Sequence, residues 1–240
     1  MVVSIKKAIL VISVFFLTFI FLIFTVKNEI KNTSATPPLS GKRVVVDAGH
    51  GGMDGGAVSE NGISEKDINL KIAFYLKNYL EKNGAKVVMT RTKDQSLHTD
   101  DKGSIKSKKR SDLMARRNKA NNSDGDVLIS IHLNYFQQSQ YKGAQVFYEG
   151  LHKESIRLAQ SKQNELKSTL DNDNNRQIAT IDSNKLMYQN LTLPAVIVEC
   201  GFLSNPEERE KLCTKEYQEQ VALGICLGTV KYFSQEKTPD

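Results

Sequence analysis

The segment from Arg43 to Ala57, RVVVDAGHGGMDGGA, constrains this chain more than any other. Val44, Val45 and Val46 form an apolar run without polar alternation, as expected of a strand covered on both faces in a parallel sheet. The run then breaks into Gly49, Gly51, Gly52, Gly55 and Gly56, which permit backbone angles and close approaches that a Cβ would block. A dinucleotide fingerprint starting at Gly49 needs Gly or Ala where Asp54 stands, and no G-K-[ST] ending marks a P-loop. A phosphate cradle is therefore disfavoured. The glycines instead clear space around His50, either as a ligand that a metal and a substrate can reach or as the histidine of a structural turn.

At 240 residues the chain is long enough for one α/β domain with a full core and a short extra segment. Its net charge of +6 suits an acidic polymer, a membrane surface or a cell wall, and charge alone does not choose among them. Residues 8–26 contain no charged side chain over 19 positions, which predicts a membrane-crossing signal-anchor, with cleavage near Thr33-Ser34-Ala35 as the alternative. Lys6 and Lys7 in front tip the segment towards N-in, C-out, so the rest of the chain faces the outside of a membrane. The expected organisation is a transmembrane segment over 1–27, a linker over 28–40 containing Pro37-Pro38, and a catalytic domain over 41–236.

Within that domain, Ser64 with Asp67 resembles a capping box, and Ile68, Ile72, Leu76 and Leu80 predict a helix from about 65 to 82. Glu65 falls in its first turn, where the helix dipole favours a carboxylate whether or not it has a further role. KVVMT (86–90) reads as a strand, 92–110 as an exposed and mobile basic loop, and 111–122 as a helix with Leu113 and Ala120 inward and Arg116 and Arg117 outward. His98, inside that loop, has no partner motif.

DVLISIHLN (126–134) is a strand ending at His132, a position open to a satisfied core histidine or to a ligand. AQVFYE (144–149) is a half-exposed strand, 152–170 a polar helix, and AVIVEC (195–200) the last strand. Glu199 sits inside that apolar strand. An unpaired buried charge is costly, so Glu199 calls for a functional or ion-pair explanation more strongly than any other residue. The closing helix, 215–233, has Val221, Ile225, Leu227 and Val230 for an inner face. Cys200, Cys213 and Cys226 read as small buried hydrophobes, with a Cys200 nucleophile served by His132 as the chemical rival.

The alternation of strands and helices argues for an α/β fold, a mostly parallel twisted sheet with helices on both faces. In such sheets the site lies beyond the carboxyl ends of the strands, where His50, His132 and Glu199 converge with Glu65. Two histidines and one carboxylate with a fourth, open position make a catalytic zinc site, and Glu199 is left as the acid-base residue.

DAGHGGMDGGA, the Glu65-Lys66 pair, Thr90-Arg91, the R-x-x-x-A-N of Arg116 to Asn121, SIHLN and PAVIVECGFLSNPEE together resemble the zinc-dependent N-acetylmuramoyl-L-alanine amidases of the Amidase_3 family. The resemblance implies that His50, Glu65 and His132 ligate Zn2+, that Glu199 is catalytic, and that the substrate is peptidoglycan, cleaved between the lactyl group of N-acetylmuramic acid and L-alanine. It implies no nucleic-acid partner. The membrane segment without wall-binding repeats, with the SIHLN and GAQVFY stretches, further resembles germination-specific members, which implies removal of stem peptides ahead of muramic lactam formation in spore cortex. A zinc exopeptidase on a related sheet and a non-catalytic wall-binding domain are the competing readings. The segment 92–110 is a candidate docking surface for an activating protein.

Overall fold

The computed structural model describes residues 12–22, 36–99, 102–150, 152–181 and 185–235. Residues 12–22 form a helix, α1, with exposed apolar side chains, and among the described residues no helix is long and apolar enough to cross a membrane. The remainder of the 8–26 segment, the cleavage site and most of the 28–40 linker lie outside the described residues. Residues 38–240 make up a separate compact unit.

That unit is built on a six-stranded sheet of β1 (Arg43–Ala48), β2 (Lys86–Met89), β3 (Val127–Asn134), β4 (Gln145–Tyr148), β5 (Ala179–Thr180) and β6 (Ala195–Phe202), in the order β2-β1-β3-β6-β4-β5. β1 pairs in parallel with β2 and β3, and β3 in parallel with β6. β4 runs antiparallel to β6, and β5 follows β4. The sheet is thus mixed: residues 135–144 join β3 to β4 without a crossover helix, and a parallel return would need one. The two-residue β5 carries too little pattern to be read from sequence.

Alternate residues of each central strand enter different layers. Val44, Val46, Ile129, Ile131, Val196, Val198 and Cys200 join the large core under α2 (Glu65–Lys82), α4 (Lys153–Leu170) and α6 (Lys215–Ser234). Val45, Leu128, Ala195 and Ile197 face a smaller core closed by Ala120 of α3 (Ile105–Asn121) and by Met187, Tyr188, Leu191 and Leu193. Helices therefore cover both faces, with α3 and an irregular segment on the side of the smaller core.

Several local expectations are corrected. Ser64 does not cap α2 with its side chain; its Oγ donates to Gly55 O instead. The basic loop is shorter than expected because α3 begins at Ile105, where Ser104 Oγ accepts from Ser107 N. α3 is also rotated relative to the hydrophobic reading. Leu113 is 37% exposed and Arg116 only 1%, because the buried Asp47 carboxylate on β1 draws the guanidinium inward to 2.8 Å. Leu227 is exposed, as is Cys213 beyond the short helix α5 (Pro206–Leu212), and all three cysteines are free.

α4 packs on α6 through a buried lysine. Lys162 Nζ donates to Thr229 Oγ1 at 2.8 Å, and burial pulls its pKa down to about 7. The folded state thus binds a proton less readily than the unfolded chain, so Lys162 costs stability most below pH ~7, and the cost fades as pH rises towards the unfolded value of ~10.4. Lys162→Met is expected to raise Tm at pH 6 by several degrees and to gain much less at pH 10, which thermal unfolding at the two pH values checks.

Candidate metal and catalytic centre

β1 ends in the glycine loop, where His50 adopts the left-handed region with φ 60, uncommon for a residue with a Cβ. Two buried arginines fix this strained turn by donating to its carbonyls. Arg116 reaches Ala48 O at 2.8 Å and His50 O at 2.6 Å, while Arg91 reaches Ala48 O at 2.8 Å and Gly49 O at 3.0 Å. Arg116 is itself held by Asp47 and Asp112. Asp47 loses hydration on burial, but Arg116 and the hydroxyls of Ser130 and Thr90 more than compensate, holding its pKa at about 2. The residues 92–99 are tied into the same support: Asp94 accepts from Gly52 N at 2.7 Å and pairs with Lys66 Nζ at 2.7 Å.

Around this turn three side chains meet. Glu65, at the start of α2, places Oε1 3.2 Å from His50 Nε2 and 3.0 Å from His132 Nδ1, and the two imidazoles stand edge to face with centroids 4.9 Å apart. One donor atom from each residue lies within 4.8 Å of the others, so His50, Glu65 and His132 can hold a metal ion. The glycines fit this arrangement: a Cβ on Gly49 would stand 2.4 Å from the His132 ring, and one on Gly56 would stand 2.5 Å from Glu65 Oε2. Glu65 is anchored by Ala57 N on Oε2 at 2.8 Å and Leu133 N on Oε1 at 3.0 Å. His50 Nδ1 sits 2.9 Å from Asp54 Oδ2, which turns Nε2 towards the centre.

The electrostatics ask for positive charge at this point. Burial opposes protonation of His50, yet its hydrogen bonds to Asp54 and Glu65 raise its pKa to about 9. Burial likewise favours the neutral acid of Glu65, but His132 and His50 hold it well below the usual carboxylate range. A carboxylate bracketed by two imidazoles is a donor set for a divalent cation of the zinc type.

Glu199 lies opposite His132 in the β3–β6 register, on the same face of the sheet. Its Oε2 is buried without a hydrogen-bond partner among the described residues, and burial raises its pKa, with Glu65 adding to the rise and His132 and Lys185 opposing it. Asp47 is the instructive contrast. It is a fully buried strand carboxylate, where Glu199 is only partly so, and its three partners answer for it. Cys200 points into the opposite core and burial drives its thiol far up, so the nucleophile pairing with His132 is excluded by the sheet.

Residues 44–231 match the family model described as N-acetylmuramoyl-L-alanine amidase. The chain belongs to this family, Amidase_3, and is a peptidoglycan amidase. It is 39% identical over 229 residues to the germination-specific N-acetylmuramoyl-L-alanine amidase of Bacillus subtilis, a match spanning 94% of this chain and 95% of the relative. Among solved structures it is similar to the CwlD amidase of Clostridioides difficile in complex with the GerS lipoprotein, with a TM-score of 0.78 and 39% identity over 81% of this chain and 99% of that one. The amidase AmiC2 of Nostoc punctiforme gives a TM-score of 0.69 at 28% identity, over 82% of this chain and 99% of that one.

Sequence reading missed Asp54, Arg91, Arg116 and Lys66 as supports of the centre. Asp54 had a signal, since it lies four residues after His50 in the same loop. Asp47 had one too, the same buried-carboxylate argument that singled out Glu199.

Proposed function

We propose that the family reaction is carried out here with His50, Glu65 and His132 holding Zn2+ and Glu199 moving the proton. The observation that carries this reading is Glu199 Oε2, buried without a partner among the described residues and in register with His132 beside a three-residue donor set. Zinc, when bound in such a site, lowers the pKa of water towards ~7 and polarises the amide carbonyl. Glu199, raised in pKa by burial, takes the proton from the attacking water and delivers it to the L-alanine nitrogen as the amide bond breaks. Asp54 keeps the His50 ring oriented, and Arg91 and Arg116 hold the turn in place.

The bond cut is the amide between the lactyl group and L-alanine. A role in spore cortex, ahead of muramic lactam formation, is supported by the similarity to the germination-specific amidase. The apolar segment 8–26 would anchor the domain on the extracytoplasmic side, with 28–40 as linker and 41–236 as catalytic domain. A protein partner is supported by the relative solved with a lipoprotein. Residues 92–99 brace the glycine loop, so deleting 92–110 would disturb the centre and a partner is better sought by co-purification.

Digestion of intact peptidoglycan separates this reading from an exopeptidase. The amidase releases peptides beginning with L-alanine and leaves glycan with free lactyl carboxylates, whereas products trimmed from free peptides alone would overturn it. Asp54→Ala is expected to weaken metal binding by about 10–100-fold, as loss of a ligand's orienting carboxylate does, and a chelator-competition titration measures this.

A further inference from the structure

α3 carries a stripe of cations that leads out of the catalytic cleft. From Lys102 to Arg110 the sequence reads KGSIKSKKR, five cations without an acid. Lys106, Lys109, Arg110 and Leu113 stand three or four positions apart along the helix, so they share one face, and all four are exposed. Leu113 marks where the stripe meets the cleft, since it lines the two cavities that hold His132. At 1.5 Å of rise per residue, Lys106 stands about 10 Å further out.

These charges have little to balance them. Between positions 101 and 119 there are eight cations and two acids, Asp101 and Asp112. Asp112 is buried and already taken by Arg116 at 2.6 Å. Asp54, beside the amino-terminal half of α3, is shared between His50 at 2.9 Å and Lys109 at 2.8 Å. Among the described residues no ion pair joins Lys106 or Arg110 to an acid. The first turn of α3 also lacks an acid, so Lys106 stands against the helix dipole uncompensated.

A row of unbalanced cations running out of a catalytic cleft is complementary to an anionic polymer that crosses it. We propose that the face of α3 formed by Lys106, Lys109 and Arg110 is a docking track for peptidoglycan, and that it engages carboxylates of stems neighbouring the one being cut. The proposal rests on the amidase activity, because the polymer cleaved at one stem carries further peptides with free carboxylates on either side of it. The track lies outside the cleft and holds the wall, not the scissile amide. Its continuity with Leu113 favours the polymer in the cleft over a separate acidic protein.

The test measures co-sedimentation of the full chain with insoluble peptidoglycan freed of phosphate polymers, at low and high salt. Raising NaCl from ~0.05 to ~0.5 M is expected to weaken binding by about tenfold, as screening shortens the reach of exposed charges. Converting the wall's carboxylates to carboxamides at low salt has the same effect. Lys106→Glu combined with Arg110→Glu is expected to bind about tenfold more weakly at low salt and to respond little to added salt, whereas Lys106→Arg with Arg110→Lys binds like the native chain. Glutamate is favoured near a helix amino terminus, so the reversed variant keeps its Tm. Its kcat and KM on a soluble muramyl peptide with a single stem stay native. Native binding indifferent to salt and to carboxylate conversion, or a reversed variant that binds as tightly as the native chain, overturns the track and leaves the stripe to an acidic protein. So does a reversed variant that loses kcat on the single-stem substrate, since α3 would then act through the centre. A chain that binds the wall in this charge-dependent way but cleaves no substrate would keep the track and remove the catalytic reading.

Discussion

Glu199→Gln is expected to lower kcat by about a thousandfold while the protein keeps one metal ion per chain. Glutamine has nearly the same shape and cannot accept a proton from water, so the loss measures the proton-transfer step, which typically contributes 10²–10⁴-fold. The three donor residues are untouched: Glu65 remains bracketed by His50 and His132 at 3.2 and 3.0 Å. Initial rates on purified peptidoglycan, with metal content measured on the same sample, check both halves of the expectation. Stability gives an independent readout in the metal-free protein. The folded-state pKa of Glu199 lies above its ordinary value, so its stabilising contribution is complete below the usual carboxylate range and is lost as pH rises through the raised value. Glu199→Gln therefore raises Tm at neutral pH, and the gain disappears below pH ~4. A dead variant with lowered Tm would instead mark Glu199 as structural.

Glu65→Gln is expected to reduce metal affinity by about two to three orders of magnitude, equivalent to the roughly 3–5 kcal/mol lost when one member of a buried charge cluster is neutralised. Glu65 is the common partner of both imidazoles, and its carboxylate is the only anion among the three donors. Its oxygens also accept from Ala57 N and Leu133 N, so the amide nitrogen of glutamine must displace one of these contacts. Activity should follow metal occupancy and recover in part at high zinc concentration. This differs from Glu199→Gln, where added zinc restores nothing. A variant that binds zinc as tightly as the native protein would remove Glu65 from the donor set.

The elements most legible in the sequence were those with a single dominant signal. Val44–Val46 could only be a strand buried on both faces, and the four-residue spacing from Ile68 to Leu80 matches α2. The candidate centre was legible in part because two of its residues break a local rule, whereas Glu65 and His132 fit ordinary positions and joined it only through the sheet edge and the family resemblance. His50 interrupts a glycine loop, and Glu199 interrupts an apolar strand. What stayed hidden depends on partners distant in the chain. Arg116 looks like a surface residue on α3 until Asp47, 69 positions away, is known to lie beneath it. Leu113 looks like core for the same reason, since the rotation that buries Arg116 turns Leu113 towards the cleft. The reversal of β4 is a property of the loop that precedes it, and strand composition does not encode direction.

The most direct test of the central claim is a zinc titration of the stripped chain, followed by mass spectrometry of peptidoglycan digested at each point. The account predicts that peptides beginning with L-alanine appear in proportion to bound zinc and reach a plateau at one equivalent per chain. Undiminished release of those peptides in excess chelator would contradict it.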